Sequence, residues 1–117
     1  MALRALSPGE MAASRTLFAR FMGRGEEGRK TFAQLLDIYS ERAGRLDPSE
    51  DRDDDLRIEQ FSSDMAGARW RGEVVVRLGE FDGETLVIDG IHRGIAYLAC
   101  LHAGVRREGL PALRVDC

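Results

Sequence analysis

Five consecutive residues, Asp89-Gly90-Ile91-His92-Arg93, bring together a carboxylate, a flexible backbone link, an imidazole and a guanidinium. They follow the apolar, β-branched run Thr85-Leu86-Val87-Ile88. They precede a stretch in which Ile95, Tyr97, Leu98, Ala99 and Ala103 fit helical spacing, with Gly104 placed as its stop. The chemistry available at a strand-to-helix junction is anion binding. A helix leaves its first backbone N–H groups outside its own ladder, and its dipole puts partial positive charge there. Gly90 lets the backbone turn sharply and come near a phosphate with no Cβ in the way. The N–H groups from Ile91 onward donate, Arg93 can clamp phosphate oxygens, and His92 can donate a hydrogen bond or pass a proton. Asp89 can orient an acceptor hydroxyl or hold it through Mg²⁺. Each residue also has a plain structural reading. Asp89-Gly90 can be a turn, Arg93 can pair with a surface acid, and His92 can fill the first helical turn. The four together favour the anion site.

The elements that must position this junction follow from pattern. "GEVVVRLGEFDGETLVIDG" predicts two strands, 73–78 and 84–88, paired as an antiparallel hairpin turning at Asp82-Gly83. "LPALRVDC" predicts a short final strand. Upstream, Ser7-Pro8-Gly9-Glu10 has the signature of a capped helix start, and the helix is expected to carry Met11, Leu17, Phe18, Phe21 and Met22 to Gly23 or Gly25. A second helix is expected from Arg29 to Ala43, with Phe32, Leu35, Leu36 and Tyr39 on one side and Gly44 as its cap. A third starts near Asp55 and carries Ile58, Phe61, Met65 and Ala68 on one face. The helical aromatic and Met residues read as core rather than as a ligand pocket. Trp70 reads as packing over the hairpin, with stacking on a planar ligand as the alternative. The predicted fold class is α/β (α+β): one domain over residues 1–117, with an N-terminal helical segment (7–45), an acidic linker (46–55) and a mixed-sheet core (56–117).

Charge narrows the partners. The net charge is −3, which disfavours a nucleic-acid coat protein. Residues 46–60 hold seven acids against two basic residues, while residues 1–45 hold eight basic against five acidic. The acidic run lacks the glycine of a calcium loop, so a solvated, mobile linker without metal is expected. Lys30 is the only lysine, expected at a helix start facing solvent. Cys100 reads as a small buried hydrophobe, and two cysteines make no metal or disulfide framework. No apolar stretch reaches the length of a membrane span and the N-terminus lacks a signal-peptide core, so a cytoplasmic location is expected.

The order strand, Asp-Gly-x-His-Arg, helix, Gly, then "LPALRV" resembles the core of the ParB/sulfiredoxin-like superfamily, over about residues 56–117. In that family a short turn after a strand holds nucleotide phosphates with its backbone and an Arg. The resemblance therefore implies cofactor-binding roles for Gly90, Ile91, His92 and Arg93, and catalytic roles for Asp89 and His92. Sulfiredoxins carry Gly-Cys-His-Arg. Here Gly90, His92 and Arg93 match, but Ile91 stands at the nucleophile's position, so sulfiredoxin chemistry is not expected. Partition-type ParB proteins carry a Glu-Arg-Arg version and a following helix-turn-helix, neither of which this sequence has. Free-serine kinases carry Asp-Gly-His-Thr-Arg, which Asp89, Gly90 and Arg93 match while Ile91 and His92 replace the His-Thr pair.

Two function classes follow. The first is a nucleotide-binding enzyme using ATP or another nucleotide, with Mg²⁺, for phosphoryl transfer to a small metabolite. The second is a non-catalytic ligand- or partner-binding regulatory module of the same fold, with the N-terminal helices available for a homodimer. A transferase needs a further acid; Glu10, Glu73 and Glu80 are the candidates, although Glu10 suits a capping box better.

Overall fold

The computed structural model describes residues 3–16, 30–42, 52–81 and 83–116. Along the chain run β1 (Leu3–Ala5), α1 (Pro8–Ala13), α2 (Phe32–Arg42), α3 (Arg52–Ala66), β2 (Val74–Phe81), β3 (Glu84–Asp89), α4 (Ile91–His102), a 3₁₀ turn (Arg107–Gly109) and β4 (Leu113–Asp116). The four strands form one mixed sheet in the order β1-β4-β2-β3. This is a mixed α/β fold, as the period change at residue 73 predicts.

The hairpin forms where Gly83 (φ +77°) supplies the left-handed turn residue, although Asp82 lies outside the described residues. β2 pairs with β3 antiparallel and with β4 in parallel, so the chain crosses back through α4 to lay β4 beside β2. Val74, Val76, Leu113 and Val115 are buried on the face turned to the helices. Arg77 and Arg114 lie on the other face and pair with Asp116 (3.5 Å) and Glu73 (2.7 Å).

α4 is the central helix, packed on β2, α3 and α2. Its buried residues include Ile91, Gly94, Ile95, Tyr97, Leu98 and Cys100. Gly94 is what allows α2 so close: a Cβ there would sit 2.5 Å from the Phe32 ring. At the other end Gly104 (φ +93°) closes the helix, with Gly104 N–H donating to Leu101 O and Val105 N–H to Cys100 O. Among the described residues no helix is long and apolar enough to cross a membrane.

The N-terminal part departs from the sequence reading. A strand, β1, precedes α1 and pairs antiparallel with β4. α1 has the expected capping box, Ser7 and Glu10 each accepting the other's backbone N–H at 3.1 Å. It ends at Ala13 rather than at Gly23 or Gly25, because Ser14 turns its hydroxyl back to Glu10 O and its own backbone to extended geometry. Arg15 and Thr16 then bridge to Thr31 and Val87, making a further rung beside β3. Leu17, Phe18, Phe21 and Met22 lie outside the described residues.

α2 starts at Phe32, after a second capping box in which Thr31 and Gln34 exchange bonds of 2.9 and 3.2 Å. Lys30 is half-buried ahead of it, and its carbonyl accepts from Thr16 N and Oγ1. Ala43 and the expected cap Gly44 lie outside the described residues. α3 starts at Arg52, so residues 52–55 of the expected linker are helical, while 46–51 lie outside the described residues. The sequence puts three acids, Asp53, Asp54 and Asp55, in the first turn of α3, where negative charge suits the helix dipole and favours helix over linker. Ala68 is beyond the helix, in a left-handed turn (φ +59°).

Candidate functional site

β2 and β3 run in plain register from the turn to Leu78↔Val87, and then the pairing shifts so that Arg77 faces Asp89. Ile88 is the extra residue, a β-bulge that bends the end of β3. Immediately afterwards the chain leaves the sheet. Gly90 adopts φ +89°, ψ 18°, and α4 begins at Ile91. Asp89, Gly90, Ile91, His92 and Arg93 therefore stand together at one corner, where strand end meets helix start.

This corner lines a cavity of about 460 Å³. Ile88 and Asp89 come from the end of β3, and Ile91, His92 and Arg93 from the first turn of α4. The facing wall is α3, which contributes Arg57 and Phe61. Asp89 and Arg57 are exposed, His92 and Arg93 half-buried, and Gly90 and Ile91 buried. The sequence-predicted residues are thus brought together. The α3 wall was not foreseen. Its signal was present in the four-residue spacing of Arg57 and Phe61, which puts both on one helix face.

Gly90 has a structural role beside the expected one. A Cβ at Gly90 would meet Val75 O at 2.7 Å and Val76 Cα at 3.1 Å. The missing side chain lets the turn approach strand β2. Its other consequence concerns the helix end. With glycine as N-cap, α4 has no side-chain cap, and the first intrahelical bond is Gly94 N–H to Gly90 O at 2.9 Å. The backbone donors of Ile91 and Arg93 precede that bond and fall outside the helical ladder.

Arg93 is partly committed. Its Nη1 donates to Val75 O at 3.1 Å. Val74 donates to Ala112 beside β4, so strand alternation turns the polar groups of Val75 toward the β3 side. There β3 has already ended, and the guanidinium takes the place of the absent rung. A guanidinium carries five donors, so this bond leaves the fork able to hold an anion while fixing where it stands.

The acids expected to assist are elsewhere. Glu10 caps α1, and its hydrogen bonds from the Ser7 side chain and backbone hold its carboxyl below the usual range. Glu73 pairs with Arg114, and Glu80 is exposed on the hairpin. Neither lines the cavity. Trp70 stands edge-on to Phe61, with centroids 5.1 Å apart and planes at 81°, and its Nε1 reaches Glu73 O at 3.4 Å. It braces a wall of the cavity from the start of the hairpin. Cys100 is buried, as expected, with Sγ donating to Ser62 O at 3.3 Å, and burial pushes its thiol pKa up. Among the described residues no three His, Cys, Asp or Glu side chains cluster as metal ligands.

No family model, no curated protein and no solved structure matches this chain.

Proposed function

We propose that this chain is a small nucleotide-binding protein of ParB/sulfiredoxin-like kind, holding phosphate groups at the start of α4. The observation that carries this reading is the side-chain-free cap of α4 opening into a cavity whose walls carry Arg57, His92 and Arg93. Helix dipole, backbone donors and guanidinium all favour negative charge at one place. The strand, Gly turn, helix and final strand β4 around it stand in the order that the resemblance implies, which supports the same reading.

Asp89 and His92 at the same rim extend the reading to ATP-dependent phosphoryl transfer to a small metabolite. Asp89 is exposed and would orient the acceptor hydroxyl, with His92 beside it to donate to or relay a proton from the transferring group. Asp89 is also the residue that would hold Mg²⁺. A single carboxylate suits that ion, which takes one or two together with phosphate oxygens and water. Bound Mg²⁺ would neutralise phosphate charge. A non-catalytic regulatory module is the second reading, and one observation favours it. Among the described residues, Asp89 is the only carboxylate lining the cavity.

Calorimetric titration with ATP, ADP and CTP, with and without Mg²⁺, tests the site. Saturable one-to-one binding is expected for at least one of them; no binding of any nucleotide or of phosphate would leave the corner purely structural. Phosphate release or transfer from ATP, followed across a panel of small hydroxylated metabolites, then separates the enzyme from the module.

A further inference from the structure

The cavity is asymmetric in a way that a single phosphate does not use. The start of α4 and Arg93 form one anion-binding wall, and Arg57 rises from α3 on the other. The Arg57 side chain is exposed and makes no hydrogen bond or ion pair with a described residue. Phe61 stands one turn further along the same face of α3, and the Trp70 ring fixes it edge-on. The volume of about 460 Å³ is that of a site for a whole small molecule rather than for one ion.

Resting on the phosphate-binding reading above, we infer that Arg57 is a specificity-determining residue selecting a ligand with two linked anionic groups, a diphosphate or longer, over a single phosphate. Charge accounts for the selection. Arg93 and the helix start face a first anionic group, and Asp89 at the rim offsets part of that positive potential. Without Arg57, a second anionic group linked to the first would meet no cation of its own and would feel the first group's negative charge. With Arg57 it meets a guanidinium able to make two parallel bonds to its oxygens. The placement on a separate helix matters, because a cation on α4 would serve the first group instead.

The test uses the full chain and two probes, inorganic phosphate and pyrophosphate, titrated into wild type and Arg57→Gln. Gln keeps helix propensity at an exposed position, so the thermal midpoint should hold and unfolding should not confuse the result. Wild type is expected to bind pyrophosphate about tenfold or more tightly than phosphate, the scale of one additional charge-assisted contact. Arg57→Gln should reduce that ratio to about threefold or less while changing phosphate affinity little, since its charge serves the second group. Equal binding of the two probes by wild type, or an unchanged ratio in the variant, overturns the role of Arg57 and leaves the phosphate site standing. Binding of neither probe by wild type overturns both.

Discussion

The Arg93 guanidinium donates from Nη1 to the carbonyl oxygen of Val75 at 3.1 Å, and a Cβ on Gly90 would press on that same oxygen at 2.7 Å. One carbonyl on β2 thus governs two residues of the Asp-Gly-x-His-Arg corner. It demands glycine at the turn and anchors the arginine that follows. The structural and ligand-binding readings of these residues are therefore not rivals: the same bond that closes the sheet edge orients the cation facing the cavity.

Arg93→Ala should consequently do two things. It removes a donor from a carbonyl that strand geometry has turned away from β4, at a cost of about 1–3 kcal/mol for a bond from a charged group. It should also weaken nucleotide binding by roughly tenfold or more. Urea denaturation without ligand reads the first effect, and calorimetry well below the thermal midpoint reads the second. A stability loss with unchanged affinity would confine Arg93 to the sheet edge.

Gly90→Ala should be the most damaging single change in this corner. Left-handed backbone costs an L-residue about 1–2 kcal/mol, and the new methyl must displace Val75 O or the turn. A total loss of about 2–4 kcal/mol is expected, measured by urea denaturation. Loss below about 0.5 kcal/mol would mean that the turn relaxes freely.

The corner was legible in the sequence because every signal there is local: a β-branched run, Asp-Gly, then helical spacing. The hairpin and β4 were legible for the same reason. β1 was not, since Leu3-Arg4-Ala5 has no strand pattern of its own and exists as a strand through pairing with β4, over a hundred residues away. The early end of α1 at Ser14 was also missed; it rests on one hydroxyl turned to Glu10 O, and the apolar residues beyond fit helical spacing well enough to hide it. The Thr31–Gln34 box was readable but was not read, so the start of α2 was expected at Arg29 rather than Phe32. Arg57 was missed because α3 meets the corner only through tertiary packing on α4.

Ala68 offers a stabilising change. It sits just after α3, where Ala68 N–H donates to Met65 O and Arg69 N–H to Asp64 O, and it adopts φ +59°. That is a helix-ending motif with alanine where glycine is favoured. Gly67 stands one position too early to serve. Ala68→Gly should therefore raise stability by about 0.5–1 kcal/mol, read from the denaturation midpoint. A destabilised variant would show that unfolded-state entropy outweighs the relieved strain.

Burial raises the Cys100 thiol pKa above its ordinary value. The folded state then keeps its proton at pH values where the unfolded chain has begun to lose it. Stability contributed by this group is intact below the unfolded pKa of about 8.5 and falls as pH rises from there toward the folded value. Tyr39, also raised by burial, adds a loss of the same sign at higher pH. Denaturation followed between about pH 7.5 and 9.5 should show the decline in wild type and a shallower one in Cys100→Ala. Equal slopes would remove Cys100 as its source.

Asp89→Asn separates binding from transfer. The Asp89 side chain is exposed at the rim and makes no hydrogen bond or ion pair with a described residue, so the substitution should leave stability within about 0.5 kcal/mol. Its negative charge lies beside the place proposed for phosphates. Removing it should therefore leave nucleotide affinity unchanged or improve it when Mg²⁺ is absent. If the carboxylate orients an acceptor hydroxyl or holds Mg²⁺, turnover should fall by about a hundredfold or more while binding persists, and added Mg²⁺ should strengthen ATP binding less than in wild type. Calorimetry with and without Mg²⁺, paired with phosphate transfer on the same preparations, reads both effects. Affinity that drops along with turnover would put Asp89 in the binding surface itself. Binding retained by both proteins, with no transfer by either, would establish the non-catalytic module.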